Sequence, residues 1–202
     1  GGRFTEDDAS GHYSNSAGQS FAILALKLGT HEWAPKASID YLLTAQCADG
    51  GVAEAFPKVG AACSSSPDAT GLALQALVAT GNDCPAVEAR SWLTAHQQAD
   101  GSFANKAVDP SKPATANVNS TAYASLGLVA VGQSTSTIVS YLSSVQEPDG
   151  GLAVNPGSGN KKSDVYATAQ ALDAFAGSSF LTIGPSPIGA TALVGSPTPP
   201  GS

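Results

Sequence analysis

The sequence predicts an all-α fold: a partial α/α toroid of about seven helices in inner and outer pairs, followed by a disordered C-terminal tail. The first observation behind this prediction is a repeated turn motif. Three segments share the pattern aromatic-Leu-x-x-x-Gln-x-(Ala/Pro)-Asp-Gly-(Gly/Ser), and their Asp-Gly steps fall at 49, 100 and 149. A motif that recurs at a nearly constant period indicates a repeat architecture, in which each unit packs on the next.

The second observation is a set of apolar, helix-length windows that alternate with the turn motif. They are rich in alanine and leucine, and each ends in glycine, which suits the left-handed position after a helix. Because they are apolar almost all round, we expect these helices to be buried on every side and to form the inner layer. The windows are 69–81, 120–132, 164–177 and a looser first copy at 17–29.

The helices that end in the turn motif are amphipathic and are predicted to form the outer layer. Ile39, Leu42 and Leu43 make one apolar stripe, and Trp92 and Leu93 repeat it. Alternating inner and outer helices close naturally into a toroid. We expect a leader at 1–14, a toroid at 15–182 and a Pro/Gly/Ser-rich tail at 183–202; within the toroid, hairpins lie at about 15–51, 67–102 and 118–151, with a last inner helix at 163–177.

The amino-acid composition limits the classes of molecule that the protein is expected to bind. Of the 202 residues only 12% are charged, and the net charge is -7. A nucleic-acid binder needs a basic face, which nine Lys and Arg spread along the chain do not supply. No apolar run is long enough to cross a bilayer, so we expect no membrane insertion. The chain lacks methionine and starts Gly-Gly-Arg, so we expect a mature chain or an excised piece.

The Tyr/Trp-Leu-x-x-x-Gln-x-x-Asp-Gly-Gly pattern resembles the QW-type repeat of the terpenoid cyclase and protein prenyltransferase superfamily, whose domains are α/α toroids. The segment that begins Asp68-Ala69-Thr70 is similar to the inner-helix signature of that group. The nearest similarity is to the squalene-cyclase-like repeats of secreted actinobacterial surface proteins. The chain departs from the repeat at its final tryptophan, where it has Val52, Phe103 and Leu152.

The resemblance implies a fold more strongly than an activity. The Asp-x-Asp-Asp motif with which squalene-type cyclases protonate substrate does not occur in this sequence. His12, His31 and His96 do not stand at a recognisable zinc-ligand spacing from a cysteine and an aspartate. We therefore expect no cofactor and no metal, and the motifs favour a protein that is not an enzyme.

The residues repeated in every hairpin are predicted to be structural, because catalysis needs an asymmetric site. Each glutamine is expected to satisfy backbone groups at a helix end, and each aspartate to tighten its turn. They are Gln46, Asp49, Gln97, Asp100, Gln146 and Asp149.

Cysteine usage favours an extracellular or cell-surface protein. A disulfide between Cys47 and Cys63 would close the loop between them, leaving Cys84 unpaired. Three cysteines allow three pairings, and the sequence alone leaves all three open. We interpret the residues as disulfide partners because no cysteine lies in a recognisable nucleophile motif with a histidine.

Ligand-binding candidates cluster where the inner helices begin. His12 and Tyr13 precede the first inner helix, and tyrosine and histidine suit contacts with small ligands. Asp68, Asn119 and Asp164 lie at later inner-helix starts, where helix capping also explains them. Further candidates on these helices are Tyr123 and Tyr166.

Three functions are compatible with these observations. The leading hypothesis is a secreted or cell-surface toroid module that binds a small molecule or a protein without catalysis. The alternative is a C-terminal fragment of a terpenoid cyclase or prenyltransferase-like enzyme. A second alternative is a toroid similar to polysaccharide lyases, which would need an arginine base, but only Arg3 and Arg90 are present.

Overall fold

The computed structural model describes residues 1–8, 11–29, 34–58, 60–105, 115–159 and 161–183. The predicted tail from 184 onward and His31 lie outside these residues. Within them the chain forms seven α-helices, a two-stranded antiparallel hairpin and one 3₁₀ turn. The elements are β1 (Glu6–Asp8), β2 (Gly11–Tyr13), α1 (Ser16–Gly29), α2 (Lys36–Leu43), α3 (Pro67–Ala79), α4 (Asp83–His96), α5 (Val118–Ala130), α6 (Ser136–Ser144), the 3₁₀ turn (Pro156–Ser158) and α7 (Val165–Ala176).

The helices form the two layers that the sequence predicts. Helices α1, α3, α5 and α7 pack side by side in chain order and make the inner layer. Helices α2, α4 and α6 pack outside them: α2 against α1, α4 against α3 and α5, and α6 against α5 and α7. Within the described residues the fold is therefore an all-α partial toroid, to which the β1–β2 hairpin adds a short feature that the sequence analysis did not predict.

The sequence windows predicted as inner helices are apolar on all sides because the helices that they form are buried on all sides. Almost every residue of α3 and most residues of α5 are buried, whereas α4 buries a single stripe. Helices α3 and α5 approach each other closely at Gly71, where an added Cβ atom would overlap the carbonyl oxygen of Tyr123. Alanine and glycine on these helices permit a backbone separation that larger side chains would prevent.

A threonine, buried in the first two units and half-buried in the third, joins each internal Asp-Gly turn to the inner helix that follows it. The Thr70 hydroxyl accepts the N–H of Val52 at 2.9 Å and donates to the Ser66 carbonyl at 2.6 Å. Thr121 and Thr168 make the equivalent bonds in the next two units. These hydroxyls satisfy backbone groups that the irregular segment after the turn would otherwise leave unpaired.

The start of the chain repeats the turn geometry. Gly2 has a φ of 92°, close to the 90°, 94° and 84° of Gly50, Gly101 and Gly150. The Gln19 side chain donates to the Gly2 carbonyl at 2.7 Å and accepts the N–H of Phe4 at 2.9 Å. The first residues of the predicted leader thus pack on the toroid. The motif search missed this turn because glycine occupies position 1, where the other turns have aspartate.

After α7 the chain returns to the other end of the arc. The Phe180 N–H donates to Gln75 Oε1 of α3 at 2.9 Å, and the Phe180 ring lies 5.6 Å from that of Phe21 in α1. Ser179 and Leu181 are fully buried. Helices α1 and α5 flank α3, and α4 covers its outer side, so this segment lies on the inner, concave side of the arc.

A disulfide joins Cys47, just after α2, to Cys63 in the loop that leads to α3. Cys84 is free and exposed. This is the pairing that the sequence analysis favoured. Because the closed loop constrains the unfolded chain, the bond stabilises the fold by about 3 kcal/mol in the chain-entropy treatment.

We expect the double variant Cys47→Ser, Cys63→Ser to lose about 3 kcal/mol in the free energy of unfolding, measured by urea denaturation. The control is Cys84→Ser, which should change the free energy by less than about 0.5 kcal/mol. An equal loss in both variants would show that the bond does not provide the stabilisation.

Candidate functional site

The main candidate site is a cleft on the rim where the inner helices begin. It has a volume of about 480 Å³, within the range of small-molecule sites. Three walls meet there: the start of α1, the loop after the first Asp-Gly turn, and the first turns of α3 and α5. The lining side chains that matter for its chemistry are Phe21, Glu54, Asp68, Leu72 and Tyr123.

Asp68 is the central polar group of this rim cleft. Its Oδ1 atom is buried, and within the described ranges no hydrogen-bond donor is placed to pair with it. Burial raises the pKa of the Asp68 carboxyl, the nearby Ser120 hydroxyl offsets part of the rise, and the charge of Glu54 adds to it. A buried polar atom without a partner costs free energy, so its retention points to a role other than stability.

Tyr123 lies on α5 and faces the same cleft. Burial raises the pKa of its phenol, and the charge of Asp68 raises it further. The Gln170 amide of α7 donates to the Tyr123 hydroxyl at 3.0 Å, which leaves that hydroxyl's own proton available. Gln170 Oε1 is buried, and no hydrogen-bond partner for it is found in the part of the chain that the structure describes. The Tyr123 hydroxyl can therefore donate a hydrogen bond to a ligand, and Gln170 Oε1 can accept one.

The lining has an acidic side and an apolar side. Glu54 accepts a hydrogen bond from Ser66 Oγ at 2.9 Å and supplies the second carboxyl. Phe21 and Leu72 form the apolar wall. Neither lysine nor arginine lies among the described lining residues. This combination disfavours an anionic ligand and suits a neutral molecule with a hydroxyl group and a hydrocarbon body.

Two of the predicted ligand residues, Asp68 and Tyr123, line the cleft together, whereas Asn119, Asp164 and Tyr166 are not among its described lining residues. The Oδ1 atom of Asn119 is also buried and has no hydrogen-bond partner among the residues whose placement is described. Tyr166 lies on α7, and 74% of its surface is exposed. His12 and Tyr13 lie on β2, but their side chains are not among those described.

Of the three residues for which helix capping was the alternative explanation, Asp68, Asn119 and Asp164, only Asp164 caps a helix. Asp164 caps α7 by accepting the N–H of Ala167 at 2.8 Å. Helix α5 is capped by Asn117 instead, two residues before Asn119. Asp68 lies inside the first turn of α3, where its side chain makes no cap. The difference arises because these helices begin slightly earlier than the polar residues suggested.

The sequence analysis missed Glu54 and Gln170. Glu54 lies in a variable loop, and Gln170 lies inside an apolar window, so neither belongs to a repeated pattern. The unpartnered polar atoms that mark the cleft are a property of packing, which motif spacing does not report.

The repeated glutamines and aspartates bind backbone at the turns. Gln46, Gln97 and Gln146 each donate to the carbonyl of the turn glycine four residues later. Asp49 Oδ1 accepts the N–H of Gly51 at 3.0 Å, and Asp100 and Asp149 accept equivalent N–H groups. Every one of these contacts is a backbone contact of the kind that holds a turn.

Asp49 also binds the next outer helix, since its Oδ2 accepts the indole N–H of Trp92 at 3.0 Å. Burial alone would raise the pKa of Asp49, but hydrogen bonds from Ser65, Gly51 and Trp92 and the nearby His96 bring it below its usual value.

Neither a metal centre nor a membrane span is found in the described part of the chain. No group of three or more His, Cys, Asp or Glu is placed to hold an ion there. No described helix has the length and apolar character that crossing a bilayer requires.

Replacing Asp68 by asparagine should stabilise the protein at neutral pH. The raised pKa of the folded carboxyl means that folding is penalised once the pH exceeds the unfolded pKa, whereas below it both states are protonated. We expect Asp68→Asn to raise the midpoint of thermal unfolding at pH 7 but not at pH 3. The exposed Asp83→Asn is the control. An equal midpoint at pH 7 would contradict the burial argument.

Comparison with known proteins shows the fold and leaves the family undetermined. No protein-family model matches the sequence, and no curated protein matches it. Among solved structures, the chain is similar to a variant of the type II terpene cyclase MstE from Scytonema, solved with its substrate geranylgeranyl dihydroxybenzoate. The TM-score is 0.57 at 18% identity, over 86% of this chain and 51% of the cyclase. The chain therefore has a terpene cyclase-like fold and spans about half the length of that enzyme.

Proposed function

We propose that this chain is part of a terpenoid cyclase-like protein and that its rim cleft binds a neutral, amphipathic isoprenoid. The observation that carries the proposal is the buried, unpartnered Oδ1 atom of Asp68 beside an apolar wall. A hydroxyl group on the ligand would pair with Asp68 and Tyr123. The hydrocarbon body would cover Phe21 and Leu72, where burial of apolar surface is favourable.

Charge decides which isoprenoids suit the cleft. Glu54 and Asp68 face it, and no basic residue among the described lining residues offsets them. A diphosphate would therefore bind worse than an alcohol of the same chain length. The likeness to an enzyme that acts on a geranylgeranyl compound supports the hydrocarbon part of the proposal.

The test is thermal stabilisation of the purified chain by geranylgeraniol, because a ligand that binds only the folded state raises the unfolding midpoint. We expect a saturable rise, a smaller one with Asp68→Asn or Tyr123→Phe, and none with geranylgeranyl diphosphate. Asp83→Asn is the control and should respond like the unaltered chain. Equal responses in Asp68→Asn and the unaltered chain would contradict this site.

A second candidate function is proton donation by Asp68, because the carboxyl lines the cleft together with the aromatic residues Phe21 and Tyr123 and burial raises its pKa. In its protonated form the Asp68 carboxyl would transfer its proton to an alkene carbon, and the resulting cation would face the aromatic rings of Phe21 and Tyr123. The π electrons of a second alkene would then form the ring bond to the cationic carbon, and the cyclised cation would lose a proton to the Asp68 carboxylate, which restores the acid and leaves a neutral isomer. The test is conversion of geranylgeraniol to a cyclic isomer of equal mass, followed by gas chromatography and mass spectrometry. Activity that survives Asp68→Asn would refute this candidate.

The disulfide supports a location outside the reducing cytoplasm, and we propose that the protein is secreted or displayed on a cell surface. The role as a binding module without catalysis fits the absence of the Asp-x-Asp-Asp motif from the sequence. The isomer assay above separates this role from that of a cyclase fragment.

A further inference from the structure

We propose that Tyr123 and Gln170 form a head-group subsite at the polar end of the rim cleft, and that this subsite selects a ligand with two neighbouring hydroxyl groups. Such a group is a vicinal diol, as in glycerol. The inference rests on the proposed function, because the hydrocarbon body of the ligand must lie in the rim cleft for its head group to reach this pair. It adds to that function the chemical class of the head group.

Equivalent positions on the four inner helices follow from the turns that precede them. In each unit, one side chain of the inner helix accepts the N–H of the residue two positions after the turn glycine. These side chains are Gln19, Thr70, Thr121 and Thr168. The residue two positions after each of them therefore occupies the same place on its helix. We call these residues the inner row: Phe21, Leu72, Tyr123 and Gln170.

The inner row changes from apolar to polar along the arc of helices. Phe21, Leu72 and Tyr123 all line the rim cleft. Gln170 continues the row directly beside Tyr123, because its Nε2 atom donates to the Tyr123 hydroxyl at 3.0 Å. The hydrocarbon body of a ligand therefore belongs against α1 and α3, and its polar end belongs against α5 and α7.

The residues four positions before the inner row show the same change. Residues four apart lie on the same face of a helix. Ala17 is apolar, Asp68 is acidic and Asn119 carries an amide. Within the described residues, no hydrogen-bond donor reaches the buried Oδ1 atoms of Asp68 and Asn119. The polar end thus holds several acceptor oxygens, which a ligand rich in O–H donors can satisfy.

Tyr123 and Gln170 present a donor and an acceptor side by side. The Gln170 N–H occupies a lone pair of the Tyr123 oxygen, so the phenol proton is directed away from Gln170. Gln170 Oε1 belongs to the same planar amide as this N–H, so it lies close to the Tyr123 oxygen. It is buried and has no partner in the described ranges, although the Gln170 side chain as a whole is half-buried.

A vicinal diol matches this donor and acceptor. One ligand hydroxyl would accept the Tyr123 proton, and its neighbour would donate to Gln170 Oε1. Burial and the charge of Asp68 raise the pKa of the Tyr123 phenol, so the phenol stays protonated and remains a donor at neutral pH. A ligand with a single hydroxyl at Tyr123 leaves Gln170 Oε1 without a donor, which costs free energy.

The test compares three ligands that share one hydrocarbon chain, by isothermal titration calorimetry of the full chain. They are geranylgeraniol, its ether with glycerol, which carries a vicinal diol, and the same ether with both hydroxyls methylated. We expect the glycerol ether to bind about 2–10-fold more tightly than geranylgeraniol, as one additional hydrogen bond provides. The methylated ether has the added size but no O–H donor, so it should lose this gain.

Variants of Gln170 test whether its oxygen provides the preference. Gln170→Met fills similar space without the amide oxygen, and it should bind the glycerol ether and geranylgeraniol equally. Gln170→Glu keeps an acceptor oxygen and should retain the preference. The matched control is Gln133→Met, which replaces an exposed glutamine between α5 and α6 and should also retain it. Circular dichroism establishes that each variant is folded, and the methylated ether decides the question without a variant.

The results separate this inference from the proposed function. Equal affinities for the glycerol ether and geranylgeraniol in the unaltered chain would overturn the head-group subsite. A gain that persists in the methylated ether or in Gln170→Met would also overturn it. In these cases the proposed function stands as long as geranylgeraniol binds and Asp68→Asn weakens its binding. If none of the three ligands binds, the proposed function fails and the subsite fails with it.

Discussion

Truncation of Leu74 to alanine should lower the free energy of unfolding by about 3–5 kcal/mol, whereas the same truncation at Leu172 should change it by less than about 0.5 kcal/mol. The two leucines lie at equivalent positions, four residues after Thr70 and Thr168. Leu74 is fully buried between neighbouring inner helices, and Leu172 is 61% exposed at the end of the arc.

This matched pair isolates burial from sequence context, because both leucines lie on alanine-rich inner helices. The free energies come from urea denaturation of the two variants and the unaltered chain, with equal m-values required for a direct comparison. A loss at Leu172 as large as at Leu74 would mean that α7 is covered in solution.

Substitution of Gly71 should have the second large effect. A Cβ atom there would overlap the carbonyl oxygen of Tyr123, which is backbone and cannot move without shifting α5. We expect Gly71→Ala to cost about 3 kcal/mol in the free energy of unfolding and Gly71→Val to prevent folding.

The control for Gly71 is Gly18→Ala in α1. There the nearest atom to an added Cβ is the Asn15 side-chain oxygen at 3.3 Å, which accepts the Gly18 N–H at 2.7 Å and needs to shift by only a few tenths of an ångström. Because alanine is the better helix former, Gly18→Ala should be neutral or stabilising by up to about 1 kcal/mol. If Gly71→Ala matched Gly18→Ala in a thermal melt, the close approach of α3 and α5 would be contradicted.

The layers of the fold were predictable because they follow from local patterns. The sequences of α3 and α5 are apolar on all faces because both helices are packed on every side. The sequence of α4 is amphipathic because that helix is packed on one side only. The helix order then follows from the period of the Asp-Gly turns.

The candidate site was predictable only in part. Asp68 and Tyr123 were identified as polar residues at inner-helix starts, which is a local property. Glu54 and Gln170 reach the same region from a variable loop and from a distant helix, so only the folded arrangement brings them there. The covering of the concave side by residues 178–182 was not foreseen either, because its partners Gln75 and Phe21 lie about 100 residues or more earlier in the chain.

The return of Phe180 to Gln75 and Phe21 has a consequence for cooperativity. A linear stack of helical units can lose its terminal unit independently, since each contacts only its neighbours. Here the residues after the last inner helix bind the first and second inner helices, so fraying at either end of the arc breaks contacts at the other. These contacts join the last inner helix to the first two, so we expect the arc of helices to unfold in a single transition. Its two ends should lose hydrogen-exchange protection together.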